Sequence, residues 1–122
     1  CAFMVDGGGM SFTAVKDLFN AITGWNYTIN DLMKVGERAF TVQRLINNRD
    51  GYNAGTDVLP KKMFKPAKEG FRAGKALPFE ELMEDYYALR GWNENGEPLK
   101  GKLYELGLIE EMEELDLVNI VD

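Results

Sequence analysis

Apolar residues recur at three- and four-residue intervals early in the chain, which is the spacing of one face of an α-helix. Ser11 and Thr13 are both suited to cap the start of such a helix, and Gly24 stands where a helix C-terminal glycine belongs. The pattern therefore predicts a helix over residues 11–22. Four residues form its apolar face: Val15, Leu18, Phe19 and Ile22.

The second predicted helix has the clearest start signal in the chain. Thr28 stands three residues before Asp31, a variant of the capping box in which each side chain accepts a hydrogen bond from the other residue's backbone N–H group. Gly36 weakens the interior of this helix by about 1 kcal/mol relative to alanine. We expect the helix to end near Asn48, before Gly51. Its apolar face consists of Leu32, Val35, Ala39, Val42, Leu45 and Ile46.

No helical or strand periodicity is visible from residue 51 to residue 77. Glycine and proline interrupt this stretch repeatedly, and five lysines and one arginine lie between them. Long irregular segments in compact domains are usually functional or held against another part of the protein. We expect the same of this segment.

Three shorter helices are predicted in the last third of the chain. Pro78 suits the first position of a helix that ends at Gly91. Further helices are predicted over residues 99–106 and 109–115, followed by an apolar tail over residues 117–121. The buried stripe of the helix that Pro78 opens is predicted to consist of Phe79, Leu82, Met83, Tyr86 and Leu89.

These patterns together predict an all-α fold. It has about five helices, with a long irregular segment between the second and the third. Because 122 residues suit one domain rather than two, we predict a single helical domain over residues 1–122.

Charge and composition narrow the classes of function. The formal net charge is −6, which argues against nucleic-acid binding because that function needs a clustered basic surface. No apolar run approaches the roughly 20 residues of a membrane-spanning helix, so we predict no membrane partner and expect a cytoplasmic protein. The single cysteine, Cys1, excludes an internal disulfide. The chain opens with Cys1 rather than an initiator methionine, and we expect it to be a piece of a longer polypeptide.

A self-contained active site is not visible, and we predict no catalytic residue in this chain. Histidine, the commonest general acid or base near neutral pH, is absent. Gly7-Gly8-Gly9 precedes a helix and could cradle a phosphate, but it lacks the lysine of a P-loop, so a linker is favoured. Asn93-Glu94-Asn95-Gly96 hints at a calcium loop, but it lacks the regular alternation of ligands and the closing glutamate, so a plain turn is favoured.

Three arginines of the second helix, Arg38, Arg44 and Arg49, are candidate binding residues. Arginine near the end of a helix can bind a carboxylate or a phosphate through two parallel hydrogen bonds. The alternative is structural, because arginine also binds the free carbonyl groups of a helix end or of a neighbouring loop. The structural interpretation is favoured.

Several short segments resemble, in order and spacing, the C-terminal region of the aldehyde:ferredoxin oxidoreductase family. Each segment is weakly specific alone, but together they extend over nearly the whole chain. The segments are Glu37-Arg38 with Arg44, Asn47-Asn48-Arg49-Asp50-Gly51, Asp57-Val58-Leu59-Pro60, Tyr86-Tyr87-Ala88-Leu89-Arg90-Gly91-Trp92 with Gly96 and Pro98, and Leu103 with Leu106-Gly107-Leu108.

The resemblance implies a C-terminal fragment of a larger multidomain enzyme that oxidises an aldehyde to a carboxylic acid, with ferredoxin as electron acceptor. It implies a tungstopterin, or a molybdopterin, beside one [4Fe–4S] cluster in the parent enzyme. Cys1 matches the position of the fourth cluster ligand, which makes it the candidate cofactor-binding and metal-binding residue. The implied partners are the upstream domains of the same enzyme, ferredoxin and the aldehyde substrate, and a homodimer of the parent enzyme is left open.

Two hypotheses follow from the resemblance. In the first, this part of the enzyme helps to enclose the cofactor and the cluster and is not active alone. In the second, it is a non-catalytic helical scaffold or docking module of a family member that lacks the metal site. A Cys-x-x-Cys-x-x-x-Cys motif in the upstream sequence would distinguish the first hypothesis from the second.

Overall fold

The computed structural model describes residues 7–71 and 73–114, and this part of the chain is helical. The all-α prediction and the long irregular segment between the second and third helices are confirmed. The α-helices are α1 (Phe12–Thr23), α2 (Ile29–Arg49), α3 (Phe79–Arg90), α4 (Lys100–Leu106) and α5 (Ile109–Glu114), and two short 3-10 helices, Ala54–Thr56 and Lys61–Phe64, lie in the irregular segment.

The described residues divide into two compact units, of which the first ends at Phe40 and the second begins at Thr41. Cys1 and the predicted tail over residues 117–121 lie outside the described residues. Among the described helices, none combines the length and the apolar composition that crossing a bilayer requires.

In the first unit, α1 begins and ends where its sequence signals predict. The Ser11 hydroxyl accepts a hydrogen bond of 3.2 Å from the N–H group of Ala14, so Ser11 is the N-cap. Gly24 adopts a left-handed conformation with φ of 73°, and its N–H group donates to the carbonyl of Asn20. This conformation favours glycine because a side chain would be strained there.

The connection from α1 to α2 is held by side chains that bond to the backbone. The Asn20 amide donates to the Tyr27 carbonyl and accepts from the Tyr27 N–H group, both at 2.9 Å. The predicted capping box is confirmed: the Thr28 N–H group donates to Asp31 at 2.8 Å, and the Asp31 N–H group donates to the Thr28 hydroxyl at 3.2 Å. Local hydrogen bonds therefore determine where α2 begins.

In the second unit, the core forms where α4 and α5 pack against the C-terminal half of α2. Leu103 and Leu106 of α4 are almost completely buried. Gly107 follows them in a left-handed conformation and ends the helix, which allows α5 to return onto the same core. The core consists of Leu45, Leu103, Leu106, Leu108 and Met112, with Val42 and Ile109 packed against it.

Helix α3 differs from the prediction in two respects. Pro78 is the N-cap, and Phe79 rather than Pro78 is the first helical residue. The predicted stripe is wrong for Leu82 and Leu89, which are 49% and 80% exposed, whereas Tyr87 is 7% exposed. The face of α3 that turns inward is the one that carries Tyr87, because the Tyr87 hydroxyl donates a hydrogen bond to Asp57 of the second unit.

Candidate functional site

A buried arginine forms the centre of a polar cluster in the second unit. Arg44, on α2, is 7% exposed. Its Nη1 donates to Asp57 Oδ1 at 3.0 Å, and its Nη2 lies 2.7 Å from Asp57 Oδ2, so the two side chains form a close ion pair. Its Nε donates to the Gly96 carbonyl at 2.6 Å. The guanidinium lies over the Trp92 ring, 4.8 Å from the ring centroid, where a cation is attracted by the face of the ring.

Tyr87 completes this cluster from α3. Its hydroxyl donates to Asp57 Oδ2 at 2.6 Å, and its ring lies 5.8 Å from that of Trp92. Asp57 thus accepts hydrogen bonds from both Arg44 and Tyr87. We refer to Arg44, Asp57, Tyr87, Trp92 and Gly96 as the Arg44 cluster.

Short local motifs place Asp57 and Gly96 beside the arginine. The 3-10 helix Ala54–Thr56 directly precedes Asp57, and the N–H group of Ala54 donates to the carbonyl of Asn95 at 2.9 Å. This bond joins the irregular segment to the turn that contains Gly96. The two loops therefore reach Arg44 as one connected piece of backbone.

The predicted turn after α3 is confirmed. Asn93 Oδ1 accepts hydrogen bonds of 3.0 Å from the N–H groups of Asn95 and Glu97, as in the turns that asparagine commonly forms. Gly96 has φ of 73°, and this conformation aims its carbonyl at Arg44. The oxygens of Asn93 are thus used within the turn itself, in agreement with the interpretation as a plain turn.

The protonation states in the Arg44 cluster follow from burial and charge. Hydrogen bonds from Arg44, and then from Tyr87, lower the pKa of Asp57 although burial opposes this effect. Burial, together with the hydrogen bond to Asp57 and its negative charge, raises the pKa of Tyr87 to about 12. Burial disfavours the charged form of Arg44, but the partnership with Asp57 outweighs it and raises the pKa of Arg44. At neutral pH the cluster therefore holds a cation, an anion and a neutral phenol, an arrangement suited to support structure rather than to transfer protons.

Alkaline pH should weaken the folded state through Tyr87. Between about pH 10 and pH 12 the unfolded chain releases the Tyr87 proton while the folded chain retains it, so stability falls as the pH rises through this range. Urea titrations across this range should show the fall, and Tyr87→Phe should reduce it. Tyr52→Phe, at an exposed tyrosine, is the control and should leave the slope of the wild type unchanged. An equal slope in wild type and Tyr87→Phe would contradict the prediction.

The three candidate arginines have different environments. Arg44 binds a loop carbonyl and an internal carboxylate, which confirms the structural interpretation for this residue. Arg49 forms a half-exposed pair with Asp50 at 3.1 Å, and Arg38 lies half-buried in the first unit. Across residues 7–71 and 73–114, no group of three or more Cys, His, Asp or Glu side chains could hold a metal ion.

Sequence reasoning did not predict that these residues meet. Arg44 lies 13 positions from Asp57 and 52 positions from Gly96, and Asp57 lies 30 positions from Tyr87. No periodicity links positions so far apart. The one available signal was that all five members of the Arg44 cluster lie in the segments that carry the family resemblance.

Comparison with known proteins identifies close relatives. Residues 1–108 match the family described as aldehyde ferredoxin oxidoreductase, domains 2 and 3. The chain is 40% identical over 104 residues to the tungsten-containing aldehyde ferredoxin oxidoreductase of Pyrococcus furiosus, and 36% identical over 104 residues to that of Thermococcus kodakarensis. These alignments cover 84% of this chain but only 17% of each relative.

A solved structure shares the fold. It is the active site complex BamBC of benzoyl coenzyme A reductase in complex with 1,5-dienoyl-CoA, with a TM-score of 0.69. The similarity covers 92% of this chain and 16% of that chain, at 24% sequence identity. At this identity the likeness concerns the fold alone.

Proposed function

Because this chain belongs to the aldehyde ferredoxin oxidoreductase family, within the part that comprises domains 2 and 3, we propose that it forms a C-terminal part of such an enzyme. The parent enzyme oxidises an aldehyde to a carboxylic acid in the cytoplasm. The observation that carries this proposal is the 40% identity to a tungsten-containing enzyme over 84% of the chain. The chain spans about 17% of the length of that relative, so the activity belongs to the whole polypeptide.

In the proposed reaction, an aldehyde and water give a carboxylic acid, two protons and two electrons, and the electrons pass to ferredoxin. The tungstopterin, or molybdopterin, and the [4Fe–4S] cluster supply the redox chemistry. This chain supplies a helical framework that helps to enclose them. It is inactive alone because it lacks histidine and carries a single cysteine, whereas a [4Fe–4S] cluster takes four thiolates.

Cys1 is the residue that we assign to the cluster. A thiolate is the ligand that iron–sulfur clusters require, and Cys1 stands where the family resemblance places the fourth ligand. The motif residues farther along the chain have another role in this proposal. Arg44, Asp57 and Tyr87 support the second unit through their mutual hydrogen bonds, which accounts for their place in the resemblance without any contact to cofactor.

Cys1→Ala in the full-length enzyme tests this assignment. Purified without oxygen, the variant should lose cluster iron and acid-labile sulfide, together with the electron paramagnetic resonance signal of the reduced cluster, because one thiolate of four is removed. Thr13→Ala, at an exposed position on α1, is the control and should retain all three. Unchanged iron in Cys1→Ala would show that Cys1 is not a ligand.

The wild-type enzyme tests the activity separately. It should contain tungsten or molybdenum and iron, and it should reduce ferredoxin with an aldehyde as electron donor. A full-length protein that contains neither metal nor cluster would instead support the non-catalytic scaffold. The isolated 122-residue chain should show no activity in the same assay.

A further inference from the structure

An open groove in the second unit has an apolar floor. It lies between α3 and residues 92–94 and has a volume of about 450 Å³. This volume falls within the range of about 300–1,000 Å³ that is typical of binding pockets in proteins. The floor is formed by Phe79, Met83, Tyr87 and Trp92. We refer to this feature as the α3 groove.

The rim of the α3 groove is acidic. Glu80, Glu84 and Glu94 line it together with Asp57, and among the described residues no lysine or arginine lines it. Asp57 is paired with Arg44, but the three glutamates form no ion pair with the described part of the chain. The groove thus presents three glutamate carboxylates, none of them in an ion pair with the described residues, above an apolar surface.

The apolar surface continues beyond this groove. A second groove, of about 590 Å³, shares Phe79 and Glu80 with the first and extends to Val58 and Phe64. Val58 is 70% exposed. Because the two grooves share lining residues, they form one connected surface that carries apolar side chains.

We propose that the α3 groove holds a segment from the rest of the parent polypeptide, and that this segment places a lysine or arginine side chain between Glu80 and Glu84. The inference rests on the proposed function, since the chain spans 17% of its relatives and most of the polypeptide lies elsewhere. Glu80, Glu84 and Glu94 are exposed in this chain, and a segment that lies on the floor brings its own side chains beside them. An opposite charge next to these carboxylates favours association, whereas a like charge opposes it, so the proposed occupant carries apolar side chains and a basic one.

Photo-cross-linking in the full-length enzyme tests the occupant. A p-benzoylphenylalanine in place of Ala88, which lines the groove, should cross-link within the same polypeptide to a peptide outside residues 1–122. The same substitution at Tyr104, exposed on α4 and absent from the groove lining, is the matched control and should give no such product. A cross-link to a second copy of the enzyme, or the absence of any cross-link from position 88, would overturn the proposal.

Charge reversal tests the basic character of the segment. Glu84→Lys should lower the cross-linking yield from position 88 by about tenfold, because it places like charges in contact. Glu110→Lys reverses an exposed glutamate on α5 and should leave the yield unchanged. An unchanged yield in Glu84→Lys, with the thermal unfolding of the variant like that of wild type, would show that the contact is not ionic.

The same preparations separate this proposal from the proposed function. Metal content and aldehyde oxidation report on the enzyme, whereas the cross-link reports on the groove. An intramolecular cross-link in a protein without metal would leave the groove assignment standing and overturn the enzymatic one. An active enzyme that contains its metal but gives no cross-link would overturn the groove assignment and leave the enzymatic one standing.

Discussion

Gly96→Ala should destabilise the second unit by about 4 kcal/mol, the largest effect that we expect from a single substitution. Gly96 has φ of 73°, a conformation that costs a residue with a side chain about 1–2 kcal/mol. A Cβ atom at this position would also overlap Nη2 of Arg44 and approach the Tyr87 hydroxyl to 3.2 Å. Displacement of the guanidinium would disrupt the ion pair between the buried Arg44 and Asp57, whose side chain is 27% exposed, a loss worth up to about 3–5 kcal/mol.

Gly74→Ala is the matched control for this experiment. Gly74 has the same φ of 73°, but a Cβ atom there would meet nothing within 4 Å. Gly74→Ala should therefore lower the free energy of unfolding only through backbone strain, by about 1–2 kcal/mol. Urea unfolding of the two variants isolates the overlap with Arg44, and equal losses in both would show that the overlap has no effect.

Arg44→Met should destabilise the second unit by about 3 kcal/mol. The methionine fills part of the buried volume but leaves the Asp57 carboxylate with Tyr87 as its remaining hydrogen-bond donor from the Arg44 cluster. Removal of one partner from an ion pair is destabilising when the charge left behind is shielded from water, and the Asp57 side chain is only 27% exposed. Arg49→Met, which removes a half-exposed pair with Asp50, should cost less than about 1 kcal/mol.

A second substitution distinguishes loss of the pair from loss of packing. In the Arg44→Met background, Asp57→Asn removes the uncompensated charge and should recover part of the lost stability. In the wild-type background, the same Asp57→Asn should be destabilising because it leaves Arg44 unpaired. A double-mutant cycle from urea unfolding measures the difference, and purely additive effects would contradict the assigned role of the ion pair.

Helix boundaries were largely predictable from the sequence. Ser11, Gly24 and the pair Thr28 and Asp31 act through hydrogen bonds that reach no more than four residues along the chain. Both partners of each hydrogen bond lie in the same short stretch of sequence, so the sequence alone could predict them. The structure confirms these roles. Pro78 was misplaced by a single position, a difference typical of helix ends.

The inward face of α3 was not predictable in the same way. Hydrophobic periodicity favoured Leu82 and Leu89, but both are exposed in the second unit. Tyr87 is buried instead, because its hydroxyl meets the carboxylate of Asp57, 30 positions away. Periodicity identifies apolar faces, but it does not identify the polar partner that makes burial of a tyrosine favourable.

The helical class, the caps and the turns could be predicted from the sequence, as could the resemblance that led to the family. Those features depend on residues close together in the chain or on motif residues whose identities can be compared directly. Folding in three dimensions was needed to show that Arg44 meets Asp57 and Gly96, and that three glutamates line an apolar groove. Such contacts join residues distant in sequence, and they form only when packing brings the second half of α2, the irregular segment and α3 together.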